Sequence, residues 1–328
     1  MSQKGRLKAE GCDEMKIGID IGGTTVSAGL VDEKERIIWK GKIETRSWQT
    51  SEMVIRRIGD MVQSLLEETE TKAGTLTHIG VGCAGMIDRT NGEVIYSNNI
   101  GWHHVPLGEI LSERFACKVY VDNDAVCAAL GEFVAGAGRE ADSMVMITIG
   151  TGIGGGLILH KRLYHGSNGA AGILGHMVIK KDGLPCNCGR KGCFEVYASV
   201  TALIREAEAA AQRCQDSVLA RLKEEKGKLD GMAIFQAIAQ QDTCAMEVFD
   251  TYTSDLASGI GSLINIFNPQ IFVIGGGLSG EGERLLAPIR NKVETQLYCG
   301  SLAMPVIRAA QLQNDAGIVG AAALADYQ

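Results

Sequence analysis

The stretch His165–Ser199 reads HGSNGAAGILGHMVIKKDGLPCNCGRKGCFEVYAS, and within it His176, Cys186, Cys188 and Cys193 form an H-x9-C-x-C-x4-C array. Three thiolates and an imidazole complete a tetrahedral set of soft ligands, which suits Zn²⁺ and leaves no open position for water. Such a site is structural rather than catalytic. Gly183, Pro185, Asn187, Gly189 and Gly192 are turn residues, placed where a short chain must fold back round an ion. The alternative is three free cysteines in a loop, or a redox pair; clustered cysteines in a chain without secretory features favour the metal. The C-x-C pair is tighter than the common C-x2-C knuckle, so His176 is the least constrained of the four. Glu195 follows the last cysteine by two residues, and a metal knot would hold its carboxylate as an acceptor for substrate hydroxyls. Taken alone, Glu195 reads better as a solvated surface residue; only its neighbours change that.

Upstream of this stretch, Ser143–Ile149 reads as a strand, followed by the run Gly150-Thr151-Gly152-Ile153-Gly154-Gly155-Gly156 and a strand over Leu157–His160. The same unit stands near the start of the chain: a strand over Lys16–Ile21, the turn Gly22-Gly23-Thr24-Thr25, and strands over Val26–Val31 and Arg36–Lys42. Two similar strand–turn–strand units suggest a weak internal duplication. Small residues and hydroxyls in such a turn can present N–H and O–H groups to phosphate oxygens, and Asp20 at its lip can hold a hydrated Mg²⁺. A plain glycine-rich hairpin is about as good a reading of D-x-G-G-T by itself. The second run is no Walker loop, since no Lys follows it, and it precedes no helix as a dinucleotide fingerprint should. Two glycine hairpins suit a nucleoside triphosphate clamped between lobes.

Between the hairpins, Met53–Leu66 carries Val54, Ile58, Met61 and Leu65 at helical spacing. Thr77–Cys83 reads as a strand ending in the loop from Ala84 to Asp88, and Val94–Ser97 as a short strand before Asn98-Asn99-Ile100-Gly101-Trp102. These amides suit sugar hydroxyls, though Asn-rich turns are common for local reasons. Lys118–Val121 is a strand ending in Asp122-Asn123-Asp124, with a helix following and Asp124 at or near its N-cap. A capping Asp needs no further role. Equally, a carboxylate at a strand's carboxyl end can take a proton from an attacking hydroxyl. Residues 201–250 read as helical, Thr253–Phe267 as a further helix stopped by Asn268-Pro269, and Gln270–Ile274 as a buried strand ending in Gly275-Gly276-Gly277. That run permits an aromatic ring such as adenine to lie on backbone, or simply a tight crossover. Asp315–Asp326 is an Ala-rich helix able to pack back on the first domain.

Composition sets the bounds. A chain of 328 residues suggests two domains. A hydrophobic share of 45% and a charged share of 22% describe an ordinary soluble globular protein. The net charge of −7 argues against a nucleic-acid partner. No apolar run spans a bilayer, and the charged residues 1–14, expected to be a disordered lead-in, lack the apolar core of a signal peptide; a cytoplasmic location is expected. The remaining cysteines, such as Cys83, Cys117 and Cys127, stand singly in apolar surroundings and read as small core residues. The 42 glycines concentrate in strand-to-turn segments, where backbone approaches a ligand closely.

In order, D-x-G-G-T, D-N-D-A, T-I-G-T-G-I-G-G-G, A-G-x-L-G-H, C-x-C-G-x-x-G-C-x-E-x-x-A-S and N-P-x-x-x-x-I-G-G-G resemble the ROK family of sugar kinases and repressors, closest to its glucokinase-like members. The likeness runs from Lys16 to the C-terminus. It implies an α/β fold of the actin/hexokinase (ribonuclease H-like) type, two lobes with a cleft between them. The first lobe would be 15–124, completed by a helix over 314–328. The second would be 125–313, with the zinc loop at 176–193 and a helical layer over 201–267. The resemblance further implies that Asp124 is the general base activating a hexose 6-hydroxyl towards the γ-phosphate of ATP. Gly85, Asn99, Asn123, His176 and Glu195 would contact the sugar. Asp20, Gly22, Gly23, Thr24, Thr25, Gly150, Thr151, Gly152, Gly275, Gly276 and Gly277 would surround Mg-ATP. His176, Cys186, Cys188 and Cys193 would bind Zn²⁺, and a homodimer or homotetramer is the expected assembly.

Two positions depart from the family pattern. Its kinases usually read A-G-E-[LI]-G-H, and Ile173 stands where that Glu accepts sugar hydroxyls. A lost charge-assisted hydrogen bond is worth on the order of 1.5–3 kcal/mol, so either glucose binds some tenfold more weakly or the substrate differs there. A kinase for N-acetylmannosamine, mannose, fructose or allose is the alternative. The usual P-G of the C-A-G-M-I-D loop is Ala84-Gly85, which leaves the Gly85 backbone available. A sugar-sensing regulator is a further alternative. Only about fifteen residues precede the first hairpin, too few for a helix-turn-helix.

Overall fold

The computed structural model describes residues 14–45, 50–71 and 75–327. The lead-in expected over residues 1–14 therefore lies almost wholly outside the described residues. By its internal contacts the chain forms two compact units. Of the described residues, the first takes those up to 142, then 156–172 and those from 311 on, and the second takes 143–155 and 173–310.

The first unit is built on the expected meander. β1 (Met15–Ile21), β2 (Thr25–Val31) and β3 (Ile37–Glu44) pair antiparallel. β4 (Leu76–Cys83) and β8 (Lys118–Asn123) continue the sheet in parallel, giving the order β3-β2-β1-β4-β8. β1 is buried on both faces, so it reads as a continuous apolar run rather than an alternation. One face is covered by α1 (Ser51–Glu68), whose side chains Val54, Ile58, Met61 and Leu65 join Ile17, Ile19, Ile79 and Val81 in one core. Each such side chain contributes about 1.5–3 kcal/mol on burial. Thr50 caps α1 by accepting the Met53 N–H. The connection from β4 to β8 carries the small antiparallel sheet β5 (Met86–Asp88), β6 (Glu93–Ser97), β7 (Trp102–Val105), then α2 (Leu107–Phe115).

α3 (Asp124–Val134) and α10 (Ala316–Ala322) pack with each other, and α10 also packs against the sheet. Gly18 and Gly80 stand mid-strand, where β-branched residues would otherwise be favoured, because α10 approaches to backbone distance. A Cβ at Gly18 would lie 1.9 Å from the Ile318 carbonyl oxygen, and one at Gly80 would lie 1.7 Å from that of Ala321. The last expected helix is thus α10 followed by α11 (Leu324–Tyr327), tied to β1 by Lys16 Nζ donating to Asp326 at 2.7 Å. This packing keeps α3 with the first unit, whose boundary falls after Asp142 rather than at 124. The segment 156–172 also belongs to this unit, and in it β11 (Arg162–Leu163) pairs with the end of β10 (Ile153–Leu159).

In the second unit β9 (Met144–Ile149), β12 (Ile271–Gly275) and β13 (Val306–Ala309) run parallel, with Met144, Ile271 and Val306 in one row. The helical layer comprises α5 (Val200–Arg213), α6 (Val218–Lys226), α7 (Gly231–Ala239), α8 (Thr243–Phe267) and α9 (Glu283–Glu294). α8 begins ten residues before the expected Thr253, because Asp242 caps it by accepting the Ala245 N–H at 2.9 Å. It ends at Asn268, a left-handed residue ahead of Pro269. Cys83 and Cys127 are core residues as expected and Cys117 is half-buried, but Cys214 and Cys244 are not isolated: they form a disulfide joining the end of α5 to the start of α8. Their distance in sequence hid the pair.

Candidate active site

Parallel pairing sets the cluster of the first unit. Asp20, Gly82 and Asp122 lie in one row across β1, β4 and β8, followed by Ile21, Cys83 and Asn123. The loops leaving these three carboxyl ends converge, the usual place for ligand binding on a parallel sheet. After β1 the hairpin Gly22–Thr25 closes through Gly22 N–H to the Thr25 carbonyl at 2.9 Å. The Asn98–Asn99 turn stands beside it, since a Cβ at Gly23 would lie 3.6 Å from that of Asn99. After β4 the chain turns at Gly85, with φ of 127° and the Tyr96 carbonyl oxygen 2.2 Å from where a Cβ would sit; only glycine fits.

After β8 comes Asn123, and it is Asn123 rather than Asp124 that caps α3. Its side-chain oxygen accepts from Ala125 N–H at 2.9 Å and Val126 N–H at 3.3 Å, while its amide donates to the Gly85 carbonyl at 3.1 Å. The capping role that competed for Asp124 is therefore already filled. Burial pushes the Asp124 carboxyl above its ordinary range, against hydrogen bonds that favour the ion. Asp20 is pushed up to about 7, first by burial and then by the charge of Asp124. Two desolvated carboxylates that repel in this way resist joint ionisation, and a divalent cation would relieve that repulsion; Asp20 is a donor that could hold Mg²⁺.

The other unit holds a cluster of its own. His176 ends a 3₁₀ turn, Leu174–His176, and its Nδ1 is 3.6 Å from Cys186 Sγ. Cys188 and Cys193 sulfurs are also 3.6 Å apart, and all four ligand atoms lie within 4.8 Å of one another. A tetrahedral Zn²⁺ with bonds of about 2.3 Å sets its sulfurs roughly 3.8 Å apart, so the cluster is already shaped for one ion. The Arg190 backbone and guanidinium hold the Cys188 thiol down, to about 6, which favours the thiolate a metal needs. Entry and exit of the loop are joined by Phe194 N–H to the Met177 carbonyl at 2.7 Å, and Phe194 is fully buried against Gly259 of α8.

That anchor fixes Glu195, the first residue of α4 (Glu195–Ala198). Its carboxylate accepts the Ile153 N–H at 2.9 Å, so it is bound to the second hairpin rather than solvated. Val200 N–H donates to the Gly150 carbonyl at 2.9 Å and Thr201 Oγ1 to the Thr151 carbonyl at 2.8 Å. Gly276, with φ of 88°, lies against the Ile149 carbonyl, leaving 2.2 Å to a Cβ, and Ser279 Oγ donates to the Gly276 carbonyl at 2.7 Å.

The first unit thus gathers Asp20, Gly22–Thr25, Gly85, Asn99, Asn123 and Asp124. The second gathers the His176 and cysteine cluster, Glu195, Gly150–Gly152 and Gly275–Gly277. Sequence reasoning missed Thr201 as a holder of the hairpin tip and the buried pair of Asp122 with His165. For the pair no local signal exists, because its members lie on elements far apart in the chain.

A family profile described as the ROK family matches residues 16–328. A glucokinase from Thermotoga maritima is 40% identical, covering 94% of this chain and 96% of its own. One from Halalkalibacterium halodurans is 37% identical, over 96% of each chain. Among solved structures, a ROK family glucokinase from Streptomyces griseus in complex with glucose and AMPPNP is 37% identical, with a TM-score of 0.81 over 94% of this chain and 98% of its own.

Proposed function

The chain belongs to the ROK family, and on that premise we propose that it phosphorylates glucose on the 6-hydroxyl with ATP as donor. In this reading the sugar oxygen attacks the γ-phosphorus, an O–P bond forms, and the bond to ADP breaks. The proton of the hydroxyl passes to the Asp124 carboxylate. Asn123 and Gly85, already joined by a hydrogen bond, present their remaining polar groups to the sugar with Asn99, His176 and Glu195. The hairpins Gly22–Thr25 and Gly150–Gly152 and the run Gly275–Gly277 surround the nucleotide, whose Mg²⁺ supplies charge neutralisation. Phosphoryl transfer asks little more of a protein than alignment, charge and a proton acceptor.

The observation that carries this reading is the state of Asp124. It sits at a parallel-strand end with its capping role taken by Asn123, beside a second carboxylate that favours a cation. Zn²⁺ on His176, Cys186, Cys188 and Cys193 completes the proposal as a structural ion that steadies Glu195. Self-association into a homodimer or homotetramer belongs to the same reading; Tyr298 and Leu302, 95% and 94% exposed, give it apolar surface. A cytoplasmic location goes with it, and among the described residues no helix is long and apolar enough to cross a membrane.

The test is a panel of hexoses, N-acetylhexosamines and polyols assayed with ATP and Mg²⁺. Turnover should be greatest with glucose. Greater turnover with mannose, fructose, allose or N-acetylmannosamine would move the substrate to the alternative that Ile173, 61% exposed, allows. Tight sugar binding with no turnover of any member would replace the kinase by a sugar-sensing protein.

A further inference from the structure

The Asp122 side chain is buried at 4% exposure and that of His165 at 9%, and their Oδ2 and Nε2 atoms are 2.8 Å apart. A carboxylate only accepts, so Nε2 carries the proton and donates. The other carboxylate oxygen, Oδ1, accepts the backbone N–H of Asn123 at 2.7 Å. His165 is itself held: it follows β11, and its carbonyl accepts the Ala171 N–H at 3.0 Å across a tight loop. Asn123 then grips both the Gly85 carbonyl and the first turn of α3, whose first residue is Asp124. The sequence Asp122-Asn123-Asp124 thus has every polar side chain before the carboxylate fixed from a different direction. Neither the phosphoryl transfer nor the sugar contacts use His165 or Asp122. Burying an ionised carboxylate is costly unless it is paired, so the pair's location calls for a role.

We propose that His165 and Asp122 are positioning residues for Asp124. By clamping the last turn of β8, the His165 imidazole sets the backbone from which the Asp124 carboxylate projects, without itself touching sugar or nucleotide. This rests on the reading of Asp124 as the general base. A displacement of about 1 Å at a reacting group costs on the order of 100-fold in rate, so the clamp acts on turnover rather than on affinity.

The test compares three replacements of His165 in the full chain, with Asp124→Asn assayed alongside. The amide nitrogen of Gln reaches about as far as Nε2, whereas that of Asn falls short. Expected are kcat within about threefold of wild type for His165→Gln and a fall on the order of 10–100-fold for His165→Asn and His165→Ala. KM for glucose and ATP should change less than about threefold in each. Equal kcat for the Gln and Asn variants would overturn the inference, as would a loss confined to KM or one that tracks Tm alone. Should His165→Ala not fold, the Gln and Asn pair decides by itself. Turnover in Asp124→Asn would overturn the base reading instead; an inactive Asp124→Asn beside fully active His165 variants would overturn only the positioning role.

Discussion

The carboxylate of Glu195 accepts the backbone N–H of Ile153 at 2.9 Å, joining the residue after the cysteine loop to the hairpin that begins at Gly150. In the proposed function one side chain would therefore serve both substrates. Glu195→Ala is expected to raise KM for glucose at least tenfold and KM for ATP several-fold, because an Ile153 N–H left unpaired costs roughly 1–3 kcal/mol. Glu195→Gln, which keeps an oxygen for Ile153, should spare the ATP effect. Steady-state kinetics of the two variants check this; an unchanged KM for ATP in Glu195→Ala would break the link.

The raised Asp20 carboxyl has a consequence for stability. Its folded value of about 7 lies above the unfolded one near 4. The folded state therefore favours the proton: this contribution is full below about pH 4 and is lost as pH rises through 7. Asp20→Asn removes the ionisation, so without ligands it should melt several degrees above wild type at pH 8 and above it by about half that margin at pH 5.5. Thermal melts at the two pH values decide, and a variant less stable than wild type at pH 8 would contradict the account.

Metal analysis is expected to find about one zinc per chain. Cys188→Ser should lose the ion, lower Tm by several degrees and raise KM for glucose, since the loop that carries Glu195 is then free to move. Retained glucose affinity in the zinc-free variant would detach the cluster from the sugar.

Ile173 is 61% exposed, an apolar side chain at the position where the family resemblance implies a glutamate. Ile173→Glu should lower KM for glucose about tenfold or more, the worth of a charge-assisted hydrogen bond. Lost activity towards every sugar in that variant would show that an apolar contact is needed there.

What could be read from the chain divides by range. The first glycine hairpin, the metal-ligand spacing and the helix of Val54, Ile58, Met61 and Leu65 are local patterns that stand where the spacing puts them, whereas the return strand of the second hairpin begins at Ile153, inside the glycine run, rather than at Leu157. α8 was foreshortened because Asp242, its cap, sits in a polar stretch that resembles any loop. The boundary after Asp142, the Cys214–Cys244 bond and the His165–Asp122 pair depend on residues brought together from distant parts of the chain. Even Gly18 and Gly80, which look like weak points in their strands, are explained only by α10, some 240 residues or more downstream. The function of Asp124 was undecided for the same reason: its rival role as a cap was settled by where the Asn123 side chain points.

The most direct test of the central claim is Asp124→Asn, measured for turnover with saturating glucose and Mg-ATP and for glucose affinity by calorimetry. The account predicts turnover reduced at least about 100-fold with glucose affinity changed less than about threefold. Turnover close to wild type, with the protein folded and binding glucose, would contradict it.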